Sequence, residues 1–364
     1  MALAIRILML CLLCVHAYAQ ERVDLYQAEL LVVDQSQRER NQAMVDGLAE
    51  SIVRASGQPR VLENPQVIEA VNRAANYLTE WRYESTEETI TIDGREVPAQ
   101  RLVLRYSGNA IERLLRDLRL PIWPANRPTM LVWTVVDSGN GRSRVSSSSA
   151  PEILDLIKAA AKRRGVPLIT PLMDLEDQVA VPTEQLWSLR QEIIGQASER
   201  YDADSILVGR LTETSRGDWR GGWLLMHRGQ SVSFDVSGAD AVDVVAGGIG
   251  QVADYFLQLY GIVPNEGPSE ALAFQVDGVE GFADYTRVMN YLQGLAVVGR
   301  TDLVAVQGGS LLLYLYLEGN TASLRDALSL DRRLTPHSSL SDIVVSDTVV
   351  PPGSPGNPLR YRWR

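Results

Sequence analysis

The carboxylates Asp174, Glu176 and Asp177 form the densest acidic cluster of the chain, with several hard oxygen donors inside four residues. Such a donor set suits Ca2+. It equally suits an acidic docking patch, or a solvated loop ahead of a helix opening at Pro182. Together with Asp204 these are also the visible carboxylates for hydrolysis of a glycosidic bond, which needs two carboxyl groups several ångströms apart in a cleft. Trp219 and Trp223 lie four residues apart, a spacing that puts both rings on one face of a strand. They form either a binding platform or a cover packed between the sheet and a helix beginning at Asp240. The chain ends in Arg360, Tyr361, Arg362, Trp363 and Arg364. That basic-aromatic run suits anionic lipid headgroups or an acidic partner, or docking onto the chain's own acidic body.

Other patterns carry less. Beyond the leader described below the histidines are His227 and His337, too few for a histidine zinc site. Gly229-Gln230-Ser231-Val232-Ser233 begins like a nucleophile elbow but lacks the closing glycine and the strand-turn-helix setting. Gly247-Gly248-Ile249-Gly250 falls inside a helical pattern, so close helix packing explains it better than dinucleotide binding. The sequence therefore assigns no catalytic residue and no cofactor.

Residues 1–19 read as a cleavable export signal. Arg6 supplies the positive region, Ile7 to Val15 is apolar, and Ala17-Tyr18-Ala19 is the small-x-small pattern preceding a cut. The apolar run is shorter than the ~20 residues a membrane-spanning helix needs. Cleavage is expected between Ala19 and Gln20, with release into the periplasm of a Gram-negative cell. Cys11 and Cys14 both lie in the leader, so the expected mature chain has neither disulfide nor thiolate metal site. Leu10 and Leu13, not small residues, precede them, which argues against lipidation. Without Arg6 the chain keeps 34 basic against 45 acidic residues, the opposite of a nucleic-acid-binding footprint.

At 364 residues the chain exceeds a single core, and its patterns divide it into three small α+β or α/β modules. Residues 20–125 read βααββα. A strand lies within Val23 to Val33, a helix follows Ser36 and stops at Gly57, and a second helix opens at Asn64-Pro65 with a stripe extending to Trp81. A hairpin then turns at Asp93-Gly94. Residues 126–265 read as a mixed-sheet βαβ-type module. Its strand Thr129 to Val136 is apolar enough to be central, Ser138 to Ser149 forms a serine- and glycine-rich loop, and helices are expected at Pro151 to Arg164 and Pro182 to Tyr201. Residues 266–345 read βαββαβ, the ferredoxin-like order, with a last strand at Leu330 to Leu334. Residues 346–364, rich in proline and glycine, read as a disordered basic-aromatic tail.

The wording of several segments resembles an exported proteobacterial family known only as a domain of unknown function. These are Val33-Asp34-Gln35-Ser36 through Arg54-Ala55-Ser56-Gly57, Val61-Leu62-Glu63-Asn64-Pro65, Leu120-Pro121-Ile122-Trp123, Arg127-Pro128, Pro171 through Asp177, and Ala203-Asp204-Ser205-Ile206-Leu207-Val208-Gly209-Arg210. Together they span nearly all of the expected mature chain. The last of them more distantly resembles the middle domain of flagellar assembly protein T, the penicillin-binding-protein activator lipoproteins and the curli secretion channel. Those likenesses imply noncatalytic partner binding or assembly in the cell envelope. The lipidated cysteine of the lipoproteins has no counterpart here. The expectation is a soluble periplasmic binding or scaffold protein, with an envelope protein or cell-wall component as partner and peripheral contact with anionic membrane through the tail. The alternative is a carboxylate-dependent hydrolase of cell-wall or carbohydrate material.

Overall fold

Ser36 accepts a hydrogen bond from Glu39 N, and Gly57 closes the same helix in the left-handed region, so α1 spans Gln37–Ser56. This is the first helix of a computed structural model describing residues 23–139, 141–264, 270–337, 343–345 and 348–364. The expected leader and its cleavage point at Ala19 and Gln20 lie outside the described residues. The N-terminal module pairs β1 (Gln27–Val32), β2 (Leu78–Ile92) and β3 (Arg95–Tyr106) as an antiparallel sheet in the order β1-β3-β2. Leu48 and Ile52 of α1 pack on Leu102 and Leu104 of β3, and α2 (Pro65–Asn72) and α3 (Gly108–Asp117) flank them. Trp81 departs from expectation. The helical stripe stops at Asn72, and Trp81 sits in β2 opposite Leu104, where sheet pairing overrides the local pattern.

The central module is a six-stranded mixed sheet. β4 (Met130–Asp137) is paired on one edge by β5 (Arg142–Arg144) and β6 (Leu168–Ile169). On its other edge follow β7 (Ser205–Glu213), β8 (Trp219–His227) and β9 (Gln230–Gly238). β4 runs parallel to β6 and β7, while β7, β8 and β9 are antiparallel. Both faces of β4 are covered, as its apolar sequence demands. Met130, Val132 and Val136 meet α4 (Pro151–Arg164) and a long helix, Ala241–Tyr260. Leu131, Trp133 and Val135 face α5 (Leu175–Ala180), α6 (Thr183–Trp187) and α7 (Gln191–Ser198); the long helix is α8. The helix expected over Pro182 to Tyr201 is thus broken. Leu189 adopts positive φ, and Ser188 Oγ donates to Glu184 O instead of leaving the backbone to continue.

The C-terminal module contains β10 (Ala271–Asp277), α9 (Phe282–Gln293), β11 (Val298–Gln307), β12 (Ser310–Leu317), α10 (Thr321–Asp331) and β13 (Leu334–Pro336), in the expected βαββαβ order. A short hairpin follows, β14 (Ile343–Val345) and β15 (Thr348–Val350). The chain then adds β16, Leu359–Trp363, and the sheet order becomes β11-β12-β10-β16-β13. The expected disordered tail is corrected by this strand. β16 runs parallel to β10 and antiparallel to β13, a central position between two partners. Leu359 and Tyr361 are buried, and Tyr361 stacks on Phe274 at 5.1 Å, so the segment completes the core instead of trailing from it. Arg360 and Arg362 alternate to the other face. The last strand expected at Leu330 to Leu334 begins only at Leu334, because α10 continues through Asp331.

The modules dock through backbone and ions. Ile122 and Ile262 form an isolated bridge, Arg116 pairs with Glu318 at 2.7 Å, and Arg228 pairs with Asp326 at 2.7 Å. Arg127, stacked 4.0 Å over Trp123, donates to the carbonyls of Arg54, Trp123, Pro124 and Gly165. Burial pushes its guanidinium down to about 9, and the four carbonyls compensate the lost water.

Candidate functional site

β4 begins the parallel unit, and its chain leaves toward α4 on one face of the sheet. β6, its neighbour, leaves toward α5 on the other. A cleft of about 260 Å3 lies beside the middle of β4, past the end of β6. Val132 and Thr134 of β4, Val145, Ser146 and Ser147 of the following loop, Leu154, Ile157 and Lys158 of α4, and Thr170, Pro171 and Leu172 after β6 line it.

Two features of this cleft are chemically open. Thr134 is 2% exposed, and its Oγ1 has no hydrogen-bond partner among the described residues. An unpaired buried hydroxyl costs about 1–3 kcal/mol. Around it, β6 pairs with Met130 and Leu131, and β5 pairs with Val135 to Asp137. Val132 to Thr134 therefore lie on a stretch of strand edge between two short partners. Val145 N reaches Thr134 O at 2.8 Å, holding the serine loop against that edge. Ser146 Oγ accepts from Ser148 N and Ser149 N, which folds the loop expected to be mobile into a tight turn. At the rim Lys158 is exposed, with no carboxylate at ion-pair distance among the described residues. A second, more open groove of about 410 Å3 runs between α2 and α3, lined by Glu69, Arg73, Tyr77, Arg113 and Asp117 among others. There Glu69 and Arg73 pair with each other at 2.7 Å, and both are largely exposed.

The residues singled out from sequence sit elsewhere. Asp174 caps α5 by accepting from Asp177 N, and Asp177 is buried, accepting from Met173 N at 2.8 Å and from Tyr201 Oη at 2.5 Å. Arg200 reaches Asp174 at 3.0 Å, Asp177 at 3.1 Å and Glu176 at 3.5 Å. The guanidinium of Arg200 thus spans all three carboxylates of the Ca2+ candidate. Hydrogen bonds from Arg200 hold the Asp174 carboxyl below its usual range. Burial, then the bond to Asp177, pushes the Tyr201 phenol well above its own. Asp204, the fourth carboxylate, accepts from Thr129 N at 2.9 Å.

Trp223 is buried, with its ring against Gly209, Gly221 and Gly248; any side chain at those positions would collide with it. Of the Gly247 to Gly250 run, Gly248 serves that close approach, while Gly247 meets Val236. Trp219 is half-buried against the same core, so the two rings form no surface platform. His227 is buried, with Nε2 2.6 Å from Tyr260 Oη and Nδ1 3.0 Å from Asp204 O, and desolvation lowers its pKa. Of the terminal residues, Tyr361 is core, Arg360 and Trp363 are half-buried, and Arg362 and Arg364 are exposed. None of the sequence candidates lines the cleft. Thr134, Ser147, Lys158 and Thr170 were missed, although one signal was present: Thr134 is the one hydroxyl in an otherwise aliphatic and aromatic run, Met130 to Val136, that opens a parallel unit.

The profile of a family described as a domain of unknown function (DUF8605) matches residues 19–124. This is narrower than the nearly chain-long likeness expected from the sequence. No curated protein matches the chain. A solved structure of a competence-damaged protein (CinA) superfamily protein from Escherichia coli is 17% identical over 41% of this chain and 86% of its own, with a TM-score of 0.21. An uncharacterised protein of known structure is 12% identical over 36% of this chain and 91% of its own, with a TM-score of 0.17. Overlaps this poor support no argument about fold or activity. Among the described residues no helix is long and apolar enough to cross a membrane.

Proposed function

We propose that this protein is an exported, noncatalytic binding or scaffold component of the Gram-negative cell envelope, working in the periplasm on an envelope protein or a cell-wall component. The observation that carries the reading is the lining of the cleft beside β4 and β6. It offers hydroxyls, one ammonium and aliphatic walls, groups that hold and orient a ligand, and its lining includes neither carboxylate nor imidazole. The carboxylates visible in the sequence for hydrolysis, Asp174, Glu176, Asp177 and Asp204, are engaged in capping, hydrogen bonding and ion pairing, and none of them lines it. The likeness to flagellar assembly protein T, the penicillin-binding-protein activators and the curli channel points the same way. Nucleic acid is a poor fit to the acidic surface.

The hydrolase alternative has one observation in its favour: Glu69 and Asp117 line the same open groove between α2 and α3. One experiment separates the two. The chain expressed with its leader is recovered from the periplasm, its N-terminus is read by mass spectrometry, and it is incubated with purified cell-wall sacculi and with crosslinked periplasm. The expected result is an N-terminus at Gln20, stoichiometric crosslinks to one envelope component, and no soluble wall fragments. Fragment release that disappears in Glu69→Gln or Asp117→Asn would establish the hydrolase instead.

A further inference from the structure

The open groove of about 410 Å3 between α2 and α3 falls within the ~300–1,000 Å3 of small-molecule sites. A single 3-10 turn, Ala74–Asn76, follows α2 and delivers Tyr77, whose carbonyl accepts from Ser107 N at 2.8 Å. Ser107 also caps α3 by accepting from Ala110 N, so this residue ties the two walls together. A groove fixed in this way needs little ordering to bind. Its floor and rim differ in character. Ala70, Tyr77, Ala110 and Leu114 are the buried or half-buried members of the lining and form the floor. The rim is polar and exposed, with Gln66, Glu69, Arg73 and Asn76 on one wall and Arg113 and Asp117 on the other. Glu69 and Arg73 answer each other, whereas Arg113 and Asp117, at the same spacing on α3, have no ion pair among the described residues. The side chains of Gln66 and Asn76 likewise make no hydrogen bond there. Two cations and two anions cancel, and charges this exposed gain little from pairing with a ligand, so the groove selects neither sign. What it offers is donors and acceptors together round an apolar floor. A pyranose ring has the complementary form, with C–H bonds on its faces and hydroxyls, each both donor and acceptor, round its edge.

We infer that this groove binds a neutral pyranosyl glycan without cleaving it, with a sugar face on Tyr77 and the hydroxyls held by Arg113, Asp117, Gln66 and Asn76. The inference deepens the binding reading above, naming a glycan as the cell-wall component, and rests on it. An open-chain polyol shares the hydroxyls but has no ring to lie on Tyr77.

The test uses the whole exported chain and isothermal titration calorimetry. The probes are the tetramer of N-acetylglucosamine, cellotetraose, and the open-chain polyol glucitol. The expected result is saturable binding of at least one tetramer, with an affinity that changes less than about twofold between about 50 and 500 mM NaCl, because the ligand carries no charge. Arg113→Ala and Asp117→Ala should each weaken it by about fivefold or more, the loss of a hydrogen bond or two. Tyr77→Phe should retain binding, and Tyr77→Ser should lose it. Arg113 and Asp117 are exposed, so their variants should stay folded even if Tyr77→Ser does not; a melt of each verifies this. A tighter N-acetylglucosamine tetramer supports the inference with the acetamido groups read by Gln66 and Asn76, and tighter cellotetraose supports it with hydroxyls alone. Binding of neither tetramer, glucitol binding as tightly as a tetramer, a steep loss with salt, or wild-type affinity in both folded Arg113→Ala and Asp117→Ala overturns it. Mass spectrometry of the tetramer after titration separates the two levels: intact tetramer that does not bind sinks only this inference, whereas cleaved tetramer sinks the noncatalytic reading itself.

Discussion

The acidic cluster at Asp174 to Asp177 and the hydroxyl of Thr134 lie on opposite sides of one sheet, and they reverse what their compositions suggest. In the first, every charge meets an answer: Arg200 spans three carboxylates, Tyr201 and Met173 N bind Asp177, and Asp174 caps α5. In the second, a single neutral hydroxyl sits in an apolar strand with no hydrogen-bond partner among the described residues. Folding uses up charged groups where it can satisfy them, so available chemistry is better measured by what is left unpaired than by what is charged. β16 repeats the lesson, since its aromatic and aliphatic residues complete a core while looking, as a string of letters, like a free tail.

The largest effect should come from removing residues 353–364. Leu359 and Tyr361 each occupy core positions of the kind whose truncation costs about 2–5 kcal/mol. Loss of the whole strand should abolish cooperative melting of the C-terminal module and expose residues 270–337 to limited proteolysis. A truncated chain melting within ~2 °C of the full chain would restore the free tail. Next in size is Asp177→Ala, which strands a tyrosine hydroxyl and a backbone N–H and removes one partner of Arg200. Denaturant unfolding should register about 3 kcal/mol, and added Ca2+ should restore none of it. Stabilisation of the unsubstituted chain by Ca2+ would mean that the cluster opens to admit a cation.

A smaller effect concerns His227. Its folded pKa lies below the unfolded value because burial disfavours the imidazolium. The unfolded chain therefore binds the extra proton first, and the stabilisation is complete above about pH 6.5 and lost as pH falls through the folded pKa. His227→Gln should flatten the difference in urea midpoint between pH 7.5 and pH 5, and an unchanged difference would assign the acid sensitivity to other groups. The smallest effect should be that of Thr134→Val on stability. It is expected within about 1 kcal/mol of the parent and toward gain, since no hydrogen bond is lost. A clear loss in the melt would show that the hydroxyl is satisfied by bound water, and the contrast with Asp177 would shrink accordingly.

Much of the scaffold was legible because its signals are local. Ser36 and Gly57 delimit α1, Asp93 and Gly94 at positive φ turn a hairpin, and the βαββαβ order of the third module follows from alternating periods. The misreadings share a cause. Trp81 fits a helical stripe and also a strand, and only pairing with β3 decides. Leu189 gives no sequence sign of breaking a helix. Leu359 to Trp363 alternates apolar and basic residues, a strand pattern obscured by the prolines ahead of it. The cleft was illegible for another reason: Thr134, Ser147, Lys158 and Thr170 come from four separate segments, and no spacing connects them.

The sequence by itself determined the acidic balance and raised the export expectation, and it marked where most helices and strands begin, because such signals depend on residues within a few positions of one another. Tertiary structure alone decided that Arg200 meets the acidic cluster, that Trp223 is core, and that the terminal strand lies between β10 and β13. It alone also buried the Thr134 hydroxyl without a hydrogen-bond partner among the described residues. Whether a polar group is satisfied or available depends on which distant atoms arrive beside it, and that is settled by how the sheets and helices pack.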